Sequence, residues 1–518
     1  MKNKFIKLFK DNLDLLKIIS IAFILVSISF WLQGNILINL ADEGYLWYGT
    51  IRTGTGEIPI RDFQAYDPGR YYWTSTLAKI SGNGIMSLRL SVSIFQFIGL
   101  TFGLMALRRV VNSWWILSAA GVLLLIWMYP RHKLFVHTII MMSVYLGVCL
   151  IEKPSNLYHF IAGIFIGFSA FFGRNYGLYN FIVFLLLIFF IYFKIDRAGL
   201  KKKLFLWIAG IIIGYIPMLY MFIAIPDFFS SYMKVIMEMF SRGSTNLTLP
   251  VPWPWKVSYM NKLQFFTGLF FLILPAYYLL LGIYLIKTRE NFREKAIIIS
   301  TTITGFIYMH YGFSRADTGH LTHSIHPFLI GLMSLPFLLK NKYLKLISLL
   351  SLLAVSIMTY YTMWMVSPCY IKASAQKDSF VKIDICGDDI WLDKSTADII
   401  ETVKKINKDF IDFEEVLIVP HWPVFYPILQ KKSPLWRIYF VFKEPKENQE
   451  KMISDLENKH INWVILGDVP LDGRDDLRFQ NTHFLIWKYI MNNFKQVNVD
   501  GLPENYQLLH KKAIKNYY

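Results

Sequence analysis

The residues best suited to chemistry begin in the stretch 39–73, NLADEGYLWYGTIRTGTGEIPIRDFQAYDPGRYYW, which follows the first apolar run directly. It places Asp42 and Glu43 side by side at the end of a membrane-length segment, with Arg61, Asp62, Asp67 and Arg70 among Tyr, Trp, Gly and Pro. Carboxylates beside hydrocarbon are costly, so this pair must face water, a partner charge or a ligand. Asp42, level with a lipid head group, can take the proton of a hydroxyl, with Glu43 beside it. Arg131, His132, Lys133, Arg174, Arg315 and His320, with Asp317, fall in later breaks between apolar runs, and Arg70 closes the first loop. Such cations can hold a departing phosphate, arginine through its two-pronged donor face.

Each piece also has a plainer reading. Asp42 and Glu43 can cap a helix that starts there, because carboxylates favour helix N-termini. Arg131 to Lys133 can bind lipid head groups, and Arg315 can simply pair with Asp317. His320, His323 and His326 invite a metal, but steps of three residues drift around a helix face, so no metal site and no cofactor is assigned. The functional reading rests on convergence: all these groups fall on one side of the membrane once the spans are laid out.

The spans follow from composition. Of 518 residues 54% are hydrophobic and 17% aromatic, and the mean hydropathy is +0.39. Apolar runs of about 17 to 25 residues, enough to cross a bilayer, recur up to Val366. The chain is therefore a polytopic α-helical membrane protein of about 11 spans: 18–38, 85–107, 113–129, 134–151, 158–173, 178–193, 204–225, 263–286, 296–312, 321–339 and 344–366. The pair 158–173 and 178–193 is short enough to be re-entrant. No small-residue cleavage site follows the first run, so it reads as a retained span. The formal charge of +18 excludes little by itself, but the lysines and arginines cluster in short loops, which argues for membrane orientation and against nucleic acid.

With the N-terminal lysines in the cytoplasm, the basic clusters at 108–109, 194–203, 287–295 and 340–345 all fall inside. The Asp42–Glu43 loop, 130–133, 173–175, 226–262, 314–320 and the tail from 367 fall outside. In the first outer loop, 39–84, segments 41–51 and 69–80 read as interfacial helices rich in Tyr and Trp. Loop 226–262 carries Pro250-Val251-Pro252-Trp253-Pro254-Trp255, which suits a rigid interfacial corner. The chain thus divides into a transmembrane part, 1–366, and a soluble extracytoplasmic part, 367–518. In the latter, helical patterns at 395–406, 449–459 and 484–494 alternate with apolar strands at 416–419, 463–466 and 506–509, the pattern of a small α/β domain. It has no phosphate-loop or dinucleotide-binding glycine motif. Cys369 and Cys386 both fall outside, as a disulfide or as free thiols.

The topology, the Asp42–Glu43 pair after the first span, the YDPGRYYW that follows and the outer soluble tail resemble the GT-C superfamily of integral-membrane glycosyltransferases. That group includes protein O-mannosyltransferases and the aminoarabinose transferases that modify lipid A. The segment RADTGH, 315–320, resembles uncharacterised bacterial members. The resemblance implies a polyprenyl-phosphate-sugar donor, inversion at the anomeric carbon, and a catalytic base in the first outer loop, which falls on Asp42. It implies a hexosyl- or pentosyltransferase of the inner membrane, in glycan biosynthesis of the cell envelope, with a glycan or lipid acceptor. The β-trefoil modules of protein mannosyltransferases are absent from the sequence. The competing class is a transporter or flippase of lipid-linked saccharides, which calls for polar residues at mid-membrane depth and repeated halves; neither is evident here.

Overall fold

The computed structural model describes residues 2–243, 246–288 and 290–512; the side chains of the basic N-terminal flank, to residue 11, lie outside that description. Two compact units form, one from Met1–Gly34 with Leu90–Ala373, the other from Asn35–Arg89 with Ser374–Tyr518. The three cysteines are free thiols.

In the first unit every apolar run read from the sequence is a helix or a bent pair of helices. Among the described residues eight helices are long and apolar enough to cross a membrane, or nine if one bent pair counts as a span, with Trp114–Ile126 and Asn156–Phe172 as shorter apolar helices. The expected re-entrant pair differs in detail, because Arg174–Lys194 is long enough to cross alone. The break falls instead between Leu200–Gly214 and Ile216–Ala224, bent by 53°. Pro217 sits at that break, where it has no N–H to donate and its ring crowds the preceding turn. Loop 226–262 is also less irregular than expected, since Phe228–Arg242 is a helix. After it, Trp253 and Trp255 stack within 2° of parallel.

Small residues set the closest packing. Helices Asn156–Phe172 and Leu200–Gly214 meet through Gly163 and Gly167 on one side and Gly210 and Gly214 on the other. A Cβ on Gly163 would overlap the Trp207 carbonyl oxygen, and one on Gly214 the Ile164 carbonyl oxygen. Without a hydrophobic force between helices in lipid, this backbone approach supplies the dispersion contact that holds them.

The second unit is built on a mixed sheet. Strands β1 (Phe380–Ile385) and β2 (Asp388–Asp393) form a separate hairpin, turned by Cys386 and Gly387, both at positive φ (56° and 89°), as a two-residue turn between twisted strands requires. The sheet proper contains β3 (Val416–Val419), β4 (Trp463–Gly467), β5 (Phe494–Val497) and β6 (Tyr506–Lys511) in the order β3-β4-β6-β5. Its β3–β4 pair is parallel and the other two are antiparallel. Both parallel strands are apolar throughout and buried at every position, as strands covered on two faces must be. Leu417, Val419, Val464, Leu466 and Leu509 pack against Met452, Leu456, Ile486 and Ile490 of helices Lys446–Asn458 and Phe484–Asn493.

The first loop belongs to this unit. Its helices, Asp42–Gly54 and Pro68–Ser81, were expected at a membrane interface, yet the first is buried from Glu43 through Thr50. Val424 abuts Gly44 so closely that no Cβ fits there. The Ser433 N–H donates to the Tyr48 hydroxyl (3.1 Å), and the Ile438 and Tyr439 N–H groups donate to Gln64 Oε1, each at 3.0 Å.

Beneath that helix lies a buried ion pair. Arg89 Nε and Nη2 donate to Glu43 Oε1 and Oε2, both at 2.8 Å, and Nη2 also reaches the Leu37 carbonyl at 2.6 Å. Glu43 is 5% exposed and Arg89 2%. Removing one partner strands a charge away from water, at about 3–5 kcal/mol, whereas replacing both costs far less. Arg89→Ala is therefore expected to lower thermal stability in detergent sharply, and Glu43→Gln with Arg89→Met to recover most of it; equal losses in both would exclude the pair as the cause. Gly163→Leu is expected to cost about 1–3 kcal/mol through overpacking, read as a lower melting temperature, while substitution at Gly282, which faces open space, leaves melting unchanged.

Candidate functional site

The residues singled out by sequence fall into two groups, one in each unit. In the second unit Asp42 is the first residue of its helix. Capping there is done by Asn39, whose Oδ1 accepts from the Ala41 N–H at 3.0 Å and the Asp42 N–H at 2.7 Å. Glu43 Oε2 in turn accepts from the Asn39 N–H at 3.2 Å. Glu43 points the other way, into the ion pair with Arg89. The adjacent carboxylates are thus separated by one residue step on a helix, one turned inward to a structural arginine and the other half-exposed. A negative charge at Asp42 is favoured by the N-terminal end of the helix.

Around Asp42 stands a cluster of phenols that the sequence did not single out. Tyr45 and Tyr66 pack edge to face at 4.9 Å, and Tyr45 lies 5.9 Å from Tyr439. The Arg70 guanidinium sits over the Tyr66 ring at 4.5 Å. Burial pushes the Tyr45 phenol well above its ordinary value. It does the same to Tyr66, where the Asp42 carboxylate adds to the rise. These hydroxyls stay protonated and so keep a hydrogen to donate. His421, on the loop after β3, faces Tyr439 edge to face at 5.9 Å. Burial lowers it to about 4, so the ring is neutral, and its Nε2 has no hydrogen-bond partner among the described residues. The available signal was the density of Tyr and Trp in the first loop; that His421 and Tyr439 join them is a tertiary fact.

In the first unit the RADTGH segment forms a closed set. Arg315 Nε donates to Asp317 Oδ2 at 2.7 Å and Nη1 to the Leu247 carbonyl at 3.2 Å. Asp317 caps helix Thr318–Leu338, accepting from the His320 N–H (2.7 Å) and from its Nδ1 (2.9 Å). Burial alone would raise the Asp317 carboxyl, but the His320 and Arg315 donors hold it well below the usual carboxylate range. Lys133 and Arg315 both act electrostatically on His320, and Lys133 and His132 on His323. The structure thus brings together His132, Lys133, Arg315, Asp317 and His320. Arg131 donates to the Gly34 carbonyl at 3.3 Å, and Arg174 lies over the Tyr232 ring at 4.9 Å.

Behind this cationic set the histidines continue inward. His323 stacks on Tyr311 at 4.9 Å and lies 5.3 Å from His320 and 5.4 Å from His137, which in turn is 5.0 Å from His326. His323 is fully buried and both its ring nitrogens are without a hydrogen-bond partner among the described residues. His137 was not singled out, because a lone histidine in an apolar run carries no local signal. Among the described residues no three His, Cys, Asp or Glu side chains are grouped to hold a metal ion.

No family model and no curated protein matches the sequence. Solved structures do. ArnT from Cupriavidus metallidurans bound to undecaprenyl phosphate matches with a TM-score of 0.52 at 12% identity, over 96% of this chain and 98% of that one. The same protein in the apo state matches with a TM-score of 0.52 at 12% identity, over 95% and 96%. The apo oligosaccharyltransferase of Archaeoglobus fulgidus gives 0.49 at 15% identity, over 87% of this chain and 69% of that one. ArnT is an aminoarabinose transferase, one of the GT-C membrane glycosyltransferases. At such identities the likeness is one of fold: over nearly its whole length this chain, a polytopic helical membrane protein with a small C-terminal sheet region, shares the fold of the ArnT structures.

Proposed function

We propose that the protein is a membrane glycosyltransferase that moves a sugar from a polyprenyl-phosphate donor to a hydroxyl of a cell-envelope glycan or lipid, on the extracytoplasmic face of the inner membrane. The observation that carries this reading is the hydrogen-bonded set Arg315–Asp317–His320 at the start of helix Thr318–Leu338, with Lys133, at the start of helix Leu134–Glu152, acting electrostatically on His320, in a chain whose fold matches an ArnT structure bound to undecaprenyl phosphate. In this proposal Arg131, Lys133, Arg315 and His320 hold the donor phosphate. Arg315 keeps one prong on Asp317, which fixes the plane of its guanidinium and lowers the entropy cost of meeting an anion. The leaving phosphate gains negative charge as the sugar departs, so preorganised cations favour the transition state more than the ground state.

Asp42 is the proposed base. It takes the acceptor's hydroxyl proton as the oxygen attacks the anomeric carbon, and the bond to phosphate breaks with inversion. Glu43, locked to Arg89, acts by holding the helix that carries Asp42. Tyr45, Tyr66 and Arg70 shape the polar surroundings of that carboxylate.

Two measurements test the assignment. Asp42→Asn, assayed with radiolabelled polyprenyl-phosphate sugars, is expected to lower kcat by about 10²–10⁴ with donor binding unchanged; full transfer excludes Asp42 as the base, and lipid movement across the bilayer without transfer replaces the enzyme with a flippase. Arg315→Gln is expected to weaken undecaprenyl phosphate binding by about tenfold or more, the worth of one charged hydrogen bond. Native mass spectrometry of the purified protein, showing a phosphorylated polyprenol in the wild type and less of it in the variant, reads this directly; equal occupancy removes Arg315 from the phosphate site.

A further inference from the structure

Apart from both groups, the second unit holds a half-open cavity of about 450 Å³ lined by Asn407, by the loop that follows Ile411 and by the loop at 429–432. That volume lies within the ~300–1,000 Å³ of small-molecule sites. Seven of its nine lining residues are polar or charged, which separates it from a packing defect.

Part of this polarity is consumed by the fold. Lys431 Nζ donates to the carbonyl oxygens of Asp412 (2.7 Å) and Glu414 (2.6 Å), Lys432 Nζ to Glu57 (2.7 Å), and Asn462 to Glu414 (2.9 Å). What is left over is specific. The Asp412 and Glu415 carboxylates and the Gln430 amide make no hydrogen bond or ion pair among the described residues. Asp412 itself sits at φ 47°, ψ −115°, a backbone state rare for any residue with a side chain. Beside it Phe413 is 94% exposed, with Phe410 partly exposed at 39%.

Acceptor-only carboxylates and an amide that both donates and accepts match a ligand rich in hydroxyls. The bare phenyl face matches a patch of C–H groups. Three carboxylates against two ammonium groups in the lining disfavour an anion such as a phosphate. A sugar ring offers hydroxyls at its edge and C–H groups on its face. We propose that this cavity is a saccharide-binding subsite for a neutral or amino-bearing sugar, distinct from the groups assigned to transfer.

The test is ligand-observed saturation-transfer NMR on the full chain in lipid nanodiscs, with a panel of free neutral and amino mono- and disaccharides. At least one sugar is expected to show transfer. Phe413→Ala and Glu415→Gln, both at exposed positions, are each expected to weaken its binding about tenfold without changing the melting temperature. Asp42→Asn is expected to bind as the wild type does, so failure of the transfer assignment leaves this one readable. No transfer from any sugar overturns the proposal, as does unchanged affinity in both variants. Calcium binding by titration calorimetry without a sugar signal replaces it with a cation site.

Discussion

The ion pair between Glu43 and Arg89 is the constraint on which the second unit's site depends. Two charges separated by 46 residues are buried to within a few per cent, and each satisfies the other through both prongs. Desolvating them is unfavourable unless the geometry is held, so the pair, the Leu37 carbonyl and the Asn39 cap act together to fix one orientation of the helix Asp42–Gly54. With Glu43 pulled inward, Asp42 is turned outward onto the phenol cluster. The buried carboxylate thereby sets the direction of its half-exposed neighbour, because successive side chains on a helix point about 100° apart.

The first unit solves a comparable problem with cations. Arginine and histidine at the end of an apolar helix repel one another and lose hydration. Asp317 offsets both effects, capping the helix and accepting from His320 while steadying Arg315. Of the buried histidines behind it, His137 and His326 reach the Tyr129 and Leu124 carbonyls, but His323 has no such compensation. His323 keeps two ring nitrogens without partners at the meeting of helices Arg131–Glu152 and Thr318–Leu338, a cost that a unit selected for stability alone would shed.

A fold shared with ArnT at 12% identity is intelligible on physical grounds. Helix length in a bilayer is set by hydrocarbon thickness, and any apolar side chain serves a lipid-facing position. Sequence is therefore free to drift over most of the helical surface and is restricted at close crossings such as Gly163 with Gly210, at bends such as Pro217, and at buried charges. The same freedom leaves the fold recognisable, while a fold by itself does not fix the chemistry of a site.

What the sequence determined by itself was whatever depends on local pattern. The eleven apolar runs, the helices near 395–406, 449–459 and 484–494, and the strands at 416–419 and 463–466 all follow from hydrophobic length and period, which neighbours in the chain suffice to specify. Short mixed segments escaped: β1, β2 and β5 are four to six residues with alternating charge, too little apolar surface to mark a strand without its partner. The tertiary structure decided what depends on distant residues meeting. That Glu43 is buried against Arg89 while Asp42 stays half-exposed, that His421 and Tyr439 join the first loop, that Arg315 is braced by Leu247 and Asp317, and that the first loop folds with the C-terminal residues are all matters of long-range burial and hydrogen bonding. A carboxylate's role is fixed by the charges and the dielectric around it, and those are supplied from elsewhere in the chain.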